Sequence, residues 1–358
     1  MNRTGPHIER PEGGSYTVQG PLVDRRGVRT GHVFVEDGTV VGIHEGECPG
    51  GADMCAVMVR GAVNAHTHCA DYGLDVPPGM SLEELVAPPD GLKHRYLSSA
   101  SPDRLVSDMA RFSSDSRSHG SSTFIDFREG GAAGCRMLRS ASPGAVVLGR
   151  PVSPVFDPEE VADILSVADG IGLPSVSDMD RGYIEQVADA VRDAGGVFSV
   201  HLSERVREDV DFVLSLDPAF VVHMCEATDD DLLKCAEAEV PVVVCPRSNA
   251  YFGKAPPLAR MADIGVDMAL GTDNGMLCTP DLGAEALAFR SVMSSQGGDP
   301  DGVWPTLVSI AGKLLYRQNR IGRPLQSERL MLVPCLARDG RDGAVPTGEP
   351  SFGLDIGD

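Results

Sequence analysis

An apolar run from Ala56 to Val63 leads directly into Asn64-Ala65-His66-Thr67-His68, and this stretch limits the fold more than any other. The run reads as a buried strand. Residues i and i+2 of a strand point to one face, so His66 and His68 aim together into one space at the strand's C-terminal end. Two convergent imidazoles begin a divalent-metal site. A lone His-x-His is a weak signal, and its weight depends on what the later chain brings to the same place.

From Ala56 onward short apolar strands alternate with amphipathic stretches. Eight strands are expected: Ala56–Val63, Thr123–Phe127, Ala145–Leu148, Gly170–Val176, Val197–Val200, Ala219–Val222, Val240–Val244 and Val266–Leu270. Between them helices are expected over Pro102–Phe112, Pro158–Val167, Ile184–Ala194, Val206–Leu214, Asp229–Glu237 and Pro257–Ile264, with two more over Leu282–Met293 and Pro305–Arg317. Ser101-Pro102, Asp157-Pro158 and Thr228-Asp229 are helix-start signals. Such alternation implies parallel pairing, and eight units fit an α/β fold of the (β/α)8 TIM-barrel type. A doubly wound open sheet is the runner-up, weakened because no Gly-x-Gly-x-x-Gly follows a strand. The connection between Leu74 and Ala100 is long for a βα loop and belongs over the barrel mouth.

The flanks read differently. Residues 1–13 are polar and read as a loose tail. Tyr16–Val23, His32–Glu36 and Val40–His44 are short extended runs, with a hairpin turn at Asp37-Gly38. Ser327–Leu336 reads as a strand able to rejoin them, and the tail from Ala337 as weakly ordered. The expected division is 1–55 and 321–358 for a small composite β domain and 56–320 for the barrel.

Composition narrows the partners. A formal net charge of -21 over 358 residues repels phosphate backbones and anionic membranes, so neither nucleic acid nor membrane is expected. Nine scattered cysteines without a Cys-x-x-Cys argue for reduced thiols in a cytoplasmic setting. The N-terminal stretch has no apolar signal-peptide core, and no run approaches a membrane span. No stretch specifies an interface, and a homo-oligomer is left open.

The strand ends carry the chemistry. His201 closes the fifth strand, His223 the sixth and Asp273 the eighth. In a barrel these ends share one mouth with His66 and His68. Imidazoles and a carboxylate there suit one divalent metal, Zn²⁺ first and Fe²⁺ second. Cys69, Cys225 and Cys245 lie near these motifs but fit no zinc knuckle and read as packing residues.

With these motifs in view (NAHTH at His66 and His68, HLSE at His201 and Glu204, VVHMCEATDDDL at His223, CPRSNAYFG from Cys245, ALGTDNG at Asp273), the chain resembles the amidohydrolase superfamily. The branch is that of cytosine, adenosine and S-adenosylhomocysteine-type deaminases and chlorohydrolases. The resemblance spans the barrel and extends to the composite β domain. It implies that His66, His68, His201 and Asp273 bind the metal, that His223 stands beside the metal-bound water, and that Asp273 also accepts a proton. Glu204, three residues after His201, is then placed to protonate a ring nitrogen; the competing role is an acid at a helix N-terminus. The binuclear branch commonly bridges two metals with a carboxylated lysine on strand 4, and no lysine occurs between Lys93 and Lys234, so the resemblance implies a mononuclear site; Asp178 reads first as a loop residue or helix cap, with substitution for that lysine at a second metal as the alternative.

Substrate-facing candidates come from position: Arg128 and Glu129 after strand 2, Arg150 after strand 3, Ser175 at strand 4, Arg247, Ser248 and Asn249 after strand 7, and His94 in the long loop. CPRSN departs from the His-Asn-Pro form of several relatives, which leaves the substrate open. The expected activity is hydrolytic deamination of an aminated heterocycle, such as a purine or pyrimidine base or nucleoside, a pterin or a triazine-like ring. The rival readings are cyclic-amide hydrolysis, as in imidazolonepropionase- or dihydroorotase-like relatives, and a non-catalytic metal- or ligand-binding barrel.

Overall fold

A computed structural model describes residues 14–86, 90–310, 328–336 and 345–357. The chain begins with β1 (Ser15–Asp24), β2 (Gly27–Glu36), β3 (Thr39–Glu45) and β4 (Met54–Arg60). Asp37 and Gly38 join β2 to β3 with φ of 46° and 79°, the two positive values a two-residue hairpin turn needs. The next strands are β5 (Val63–His68), β6 (Thr123–Arg128), β7 (Val146–Gly149), β8 (Gly170–Leu173), β9 (Val197–Leu202), β10 (Phe220–His223), β11 (Val242–Val244), β12 (Met268–Leu270) and β13 (Asp273–Asn274). The last three are β14 (Arg329–Leu336), β15 (Val345–Pro346) and β16 (Phe352–Ile356).

β5 through β12 pair in parallel, each with the next. β13, the continuation of β12 after a two-residue break, pairs with β5 through Asp273↔Thr67 and Asn274↔His68. The eighth strand thus joins both ends of the sheet and closes a (β/α)8 barrel. Gly271, in the break, permits that closure: a Cβ there would stand 2.7–2.9 Å from the Cβ and backbone of His66. Asn64 fastens the seam, because its Nδ2 donates to Thr272 Oγ1 (2.8 Å) and its Oδ1 accepts from Thr272 N (2.9 Å).

The flanking strands form a second closed sheet. β14 pairs with β16 on one side and with β4 on the other, and β16 joins β3. Its core holds Val18, Leu22, Val33, Val35, Ala56, Met58, Leu330, Leu332 and Leu354.

Two sequence expectations change here. The run Ala56–Val63 is two strands. β4 belongs to the small sheet, where it pairs with β1 and β14, and it crosses the expected 55/56 boundary. β4 is buried on both faces, Ala56 and Met58 toward the small core and Val57 and Val59 toward the barrel core, so no alternation showed where it ended. Gly61, at φ 78°, breaks the run, and the barrel's first strand is β5. The C-terminal tail also differs: Leu354 of β16 is buried in the small core and paired with Leu330. Residues 1–13, Ser327, 337–344 and the end of the helix expected over Pro305–Arg317 lie outside the described residues.

The helices form where caps and apolar stripes coincide. Ser101 caps Pro102–Ser118, Asp157 caps Pro158–Leu165, and Thr228 with Asp231 forms a capping box on Asp229–Glu237. The helix expected from Val206 begins at Val210. Arg207 is bound to Asp231, and Glu208 accepts from the backbone of Ser203 and Ser177, which draws 206–208 into the loop. The glycine-rich Gly131–Ala141 helix was not read from the sequence.

Candidate active site

The C-terminal ends of four barrel strands, β5, β9, β10 and the β12–β13 strand, converge. Around His66, ring centroids lie at 4.9 Å for His68, 4.8 Å for His201 and 5.8 Å for His223. Asp273 Oδ1 is 3.3 Å from His66 Nε2 and 3.7 Å from His68 Nε2. Donor atoms of His66, His68 and His201 all fall within 4.8 Å of one another, as do those of His66, His223 and Asp273. The chain turns sharply to deliver them: Ser203, His223, Met224 and Asp273 have φ of 50°, 82°, 56° and 60°. A non-glycine residue holds such a conformation only where its surroundings over-determine it.

Hydrogen bonds fix which atoms face inward. His68 Nδ1 lies 3.1 Å from Phe127 O, and His201 Nδ1 lies 2.9 Å from Leu173 O. A carbonyl can only accept, so each Nδ1 carries the proton and each Nε2 keeps a lone pair. Neither ring nitrogen of buried His66 has a hydrogen-bond partner. His223 differs. With the Asn249 amide turned so that Nδ2 donates to His223 Nδ1 (3.2 Å), the His223 proton resides on Nε2. His223 is therefore a donor toward the cleft. Burial pushes His66 and His223 down to about 4 and His201 well below the usual range, so all three are neutral. Burial alone would raise Asp273, but the His66 imidazole 3.3 Å from its Oδ1, with those of His223 and His68 beyond, holds it well below the ordinary carboxylate value. Its Oδ2 accepts from Ser248 Oγ at 2.6 Å.

This donor set fits a divalent cation. An ionised, buried carboxylate lies among neutral imidazoles, and no lysine or arginine among the described residues pairs with it. Such a charge is costly without a counter-ion. The orphaned nitrogens of His66 and the inward lone pairs of His68 and His201 are oriented as ligands to a cation require.

A cleft of about 400 Å³ opens above this cluster. Glu204 lines it, with Oε2 3.6 Å from His223 Nε2. Burial, reinforced by the charge of Asp273, pushes Glu204 up to about 8, so its carboxyl carries a proton at neutral pH. The following helix starts at Val210 under an Asp209 cap, which removes the helix-terminus role for Glu204.

The remaining candidates separate into two groups. Glu129, Arg150, Ser175 and His94 line the cleft. Ser248 and Asn249 are buried behind it, holding Asp273 and His223. Arg128 and Arg247 do not line it. Arg128 is buried and bound to Asp126 and Glu129, and Arg247 is bound to Thr279 and Glu285. Asp178 pairs with Arg205 at the rim. Cys69 and Cys245 are buried, Cys225 is half-buried, and none belongs to a metal-ligating cluster of described residues.

Sequence reasoning missed Lys93. It is buried in the cleft wall, on the helix Leu92–Ser99 of the long connection. Its Nζ reaches Glu129 Oε1 (2.8 Å), Asn274 Oδ1 (3.1 Å) and Asp71 Oδ2 (3.6 Å). Glu129 Oε1 also lies 3.1 Å from His68 Nδ1. Lys93 thereby ties the long connection to the carboxylate beside His68. The scarcity of lysine was a usable signal, since only four occur in the chain.

No family model matches the chain. An archaeal protein of Methanothermobacter thermautotrophicus, provisionally named an aminohydrolase, is 35% identical over 280 residues, covering 70% of this chain and 72% of that one. Guanine deaminase from C. acetobutylicum, solved with guanine in its active site, superposes with a TM-score of 0.63 at 11% identity, covering 89% of this chain and 91% of that one. Atrazine chlorohydrolase from Arthrobacter aurescens TC1, complexed with zinc, gives 0.65 at 12% identity, covering 93% and 92%. The two structures share the architecture, a barrel with its small β domain. With 35% identity over most of both chains, the protein belongs to the same family as that aminohydrolase.

Proposed function

We propose that the protein is a metal-dependent hydrolase that deaminates an aminated heterocycle, with His66, His68, His201 and Asp273 holding one divalent metal. Zinc suits three imidazoles and a carboxylate, with ferrous iron second. Bound there, the cation supplies a water whose pKa falls to about 7. The observation that carries the reading is Glu204: a carboxyl that keeps its proton at neutral pH, in the cleft, beside His223 and above the ligand cluster.

The protein's own groups then divide the work. Glu204 delivers its proton to a ring nitrogen, which makes the adjacent carbon electrophilic. His223, its Nε2–H fixed by Asn249, donates to oxygen at the reacting carbon. Asp273, held by Ser248, accepts a proton and returns one to the leaving amino group. Lys93 and the long connection cover the mouth and limit water. The substrate is a small molecule of purine, pyrimidine, pterin or triazine type, and the setting is cytoplasmic.

Arg150 is the substrate-side residue with the clearest reason to be there. Its guanidinium lines the cleft and has no hydrogen-bond or ion-pair partner among the described residues. Every other lysine or arginine lining the cleft is paired: Lys93 with Glu129 and Arg205 with Asp178. A half-buried guanidinium is suited to an acceptor on the ligand. Arg150→Gln is expected to raise KM roughly 10- to 100-fold with a smaller change in kcat, the size of one charge-assisted hydrogen bond. Initial-rate kinetics on the best substrate check this.

The reading is tested by ammonia release from a panel of aminated purines, pyrimidines, pterins and triazines, with and without chelator. Turnover of at least one ring, abolished by chelator and restored by zinc or ferrous iron, is expected. Hydrolysis of cyclic amides without ammonia release would contradict it, as would ligand binding without any turnover.

A further inference from the structure

The small β domain carries a feature unconnected with the cleft. β4 and β14 run antiparallel with Val57 opposite Val333 and Ala56 opposite Pro334. One step further in that register sets Cys55 opposite Cys335, and their Sγ atoms are 2.8 Å apart. Ordinary non-bonded contacts lie at roughly 3.5–4 Å. Residues directly opposed on antiparallel strands have Cα atoms about 4.5–5.5 Å apart, within the range a disulfide spans. The other seven cysteines show no such contact with one another.

We propose that Cys55 and Cys335 are a covalent modification site: a reversible disulfide that joins the N-terminal and C-terminal strands of the small domain. The bond would close a loop spanning 280 positions in sequence, which contains the entire barrel. The two sulfurs are not equivalent. Cys335 is buried, with β15 paired against it at Pro346, whereas Cys55 is half-buried. The hydrogen bond from Cys335 lowers Cys55, and the same contact raises Cys335, so Cys55 is the sulfur that ionises.

The chemistry is thiol–disulfide exchange with a low-molecular-weight disulfide as oxidant. The Cys55 thiolate attacks one sulfur of the small disulfide and releases a small thiolate. Cys335 then gives its proton to solvent, and its sulfur displaces the second small thiolate from Cys55. Two protein thiols and one small disulfide become one protein disulfide and two small thiols. A dithiol reductant reverses both steps.

The test uses the full-length, metal-loaded protein incubated with oxidised glutathione, blocked by alkylation and digested without reduction. The expected product is a single peptide pair joined through Cys55 and Cys335, two hydrogens lighter than the reduced pair. Oxidation is expected to raise the Tm by about 5 °C, given the usual stabilisation by a long-loop disulfide. Dithiothreitol should reverse the rise, and Cys55→Ser and Cys335→Ser should not show it. The proposal is overturned if both cysteines remain alkylatable, if oxidation stops at a mixed disulfide with glutathione, if the link forms to another cysteine, or if both serine variants show the same rise. Ammonia release plays no part in the readout, so the result is separate from the proposed activity.

Discussion

Glu204→Gln is expected to lower kcat by about a thousandfold while metal content and Tm stay at the wild-type values. The size follows from the 10²–10⁴ that a positioned acid–base group contributes. The substitution keeps the shape and removes only the transferable proton. Glu204 has no part in capping the next helix, which begins at Val210 under Asp209, and its carboxyl faces His223 Nε2 at 3.6 Å. Nothing structural therefore depends on its ionisation. Steady-state rates, elemental analysis and a thermal melt on the same preparation separate the outcomes. A variant that keeps full activity would show that the proton comes from another group. A variant that loses metal would make Glu204 a ligand instead.

Asp273→Asn is expected to abolish measurable turnover and to weaken metal binding by roughly 10²–10³-fold, a quarter of the ~10–16 kcal/mol that a four-ligand zinc site supplies. Its effect on stability has a sign set by the surroundings of Asp273. In the metal-free protein the imidazoles hold the carboxyl well below its ordinary value, so its ionised form contributes stability at neutral pH, and the neutral amide loses that contribution while keeping an oxygen for Ser248. The metal-free variant should melt at or below the metal-free wild type. Added zinc should raise the wild-type Tm and leave the variant's nearly unchanged, because stabilisation by a ligand follows its affinity. Melting curves across a zinc titration check both halves. Equal zinc-induced shifts would contradict the role given to Asp273.

The barrel could be read from the sequence because its strands are short apolar runs with caps and helices between them, and each residue proposed to hold the metal falls at a strand end. His66 and His68 share a face by strand periodicity alone. What periodicity could not show was the boundary within Ala56–Val63, since β4 packs between two cores and has no polar face. The seam was hidden for another reason. Asn64 and Thr272 are 208 positions apart, and neither side chain announces that it needs the other. Lys93 and Asn274 were missed likewise, because they meet only after the long connection folds over the mouth. Arg128 was overrated: its position at the end of β6 matched a substrate contact, but Asp126 and Glu129 enclose it.

The central claim is that one cation joins side chains from three strand ends, and anomalous diffraction at the zinc edge from crystals of the zinc-loaded protein tests it most directly. The account predicts a single peak within about 2.2 Å of a donor atom from each of His66, His68, His201 and Asp273, with His223 outside the coordination sphere. A peak bound elsewhere, or zinc bound at this cluster without Asp273, would contradict it.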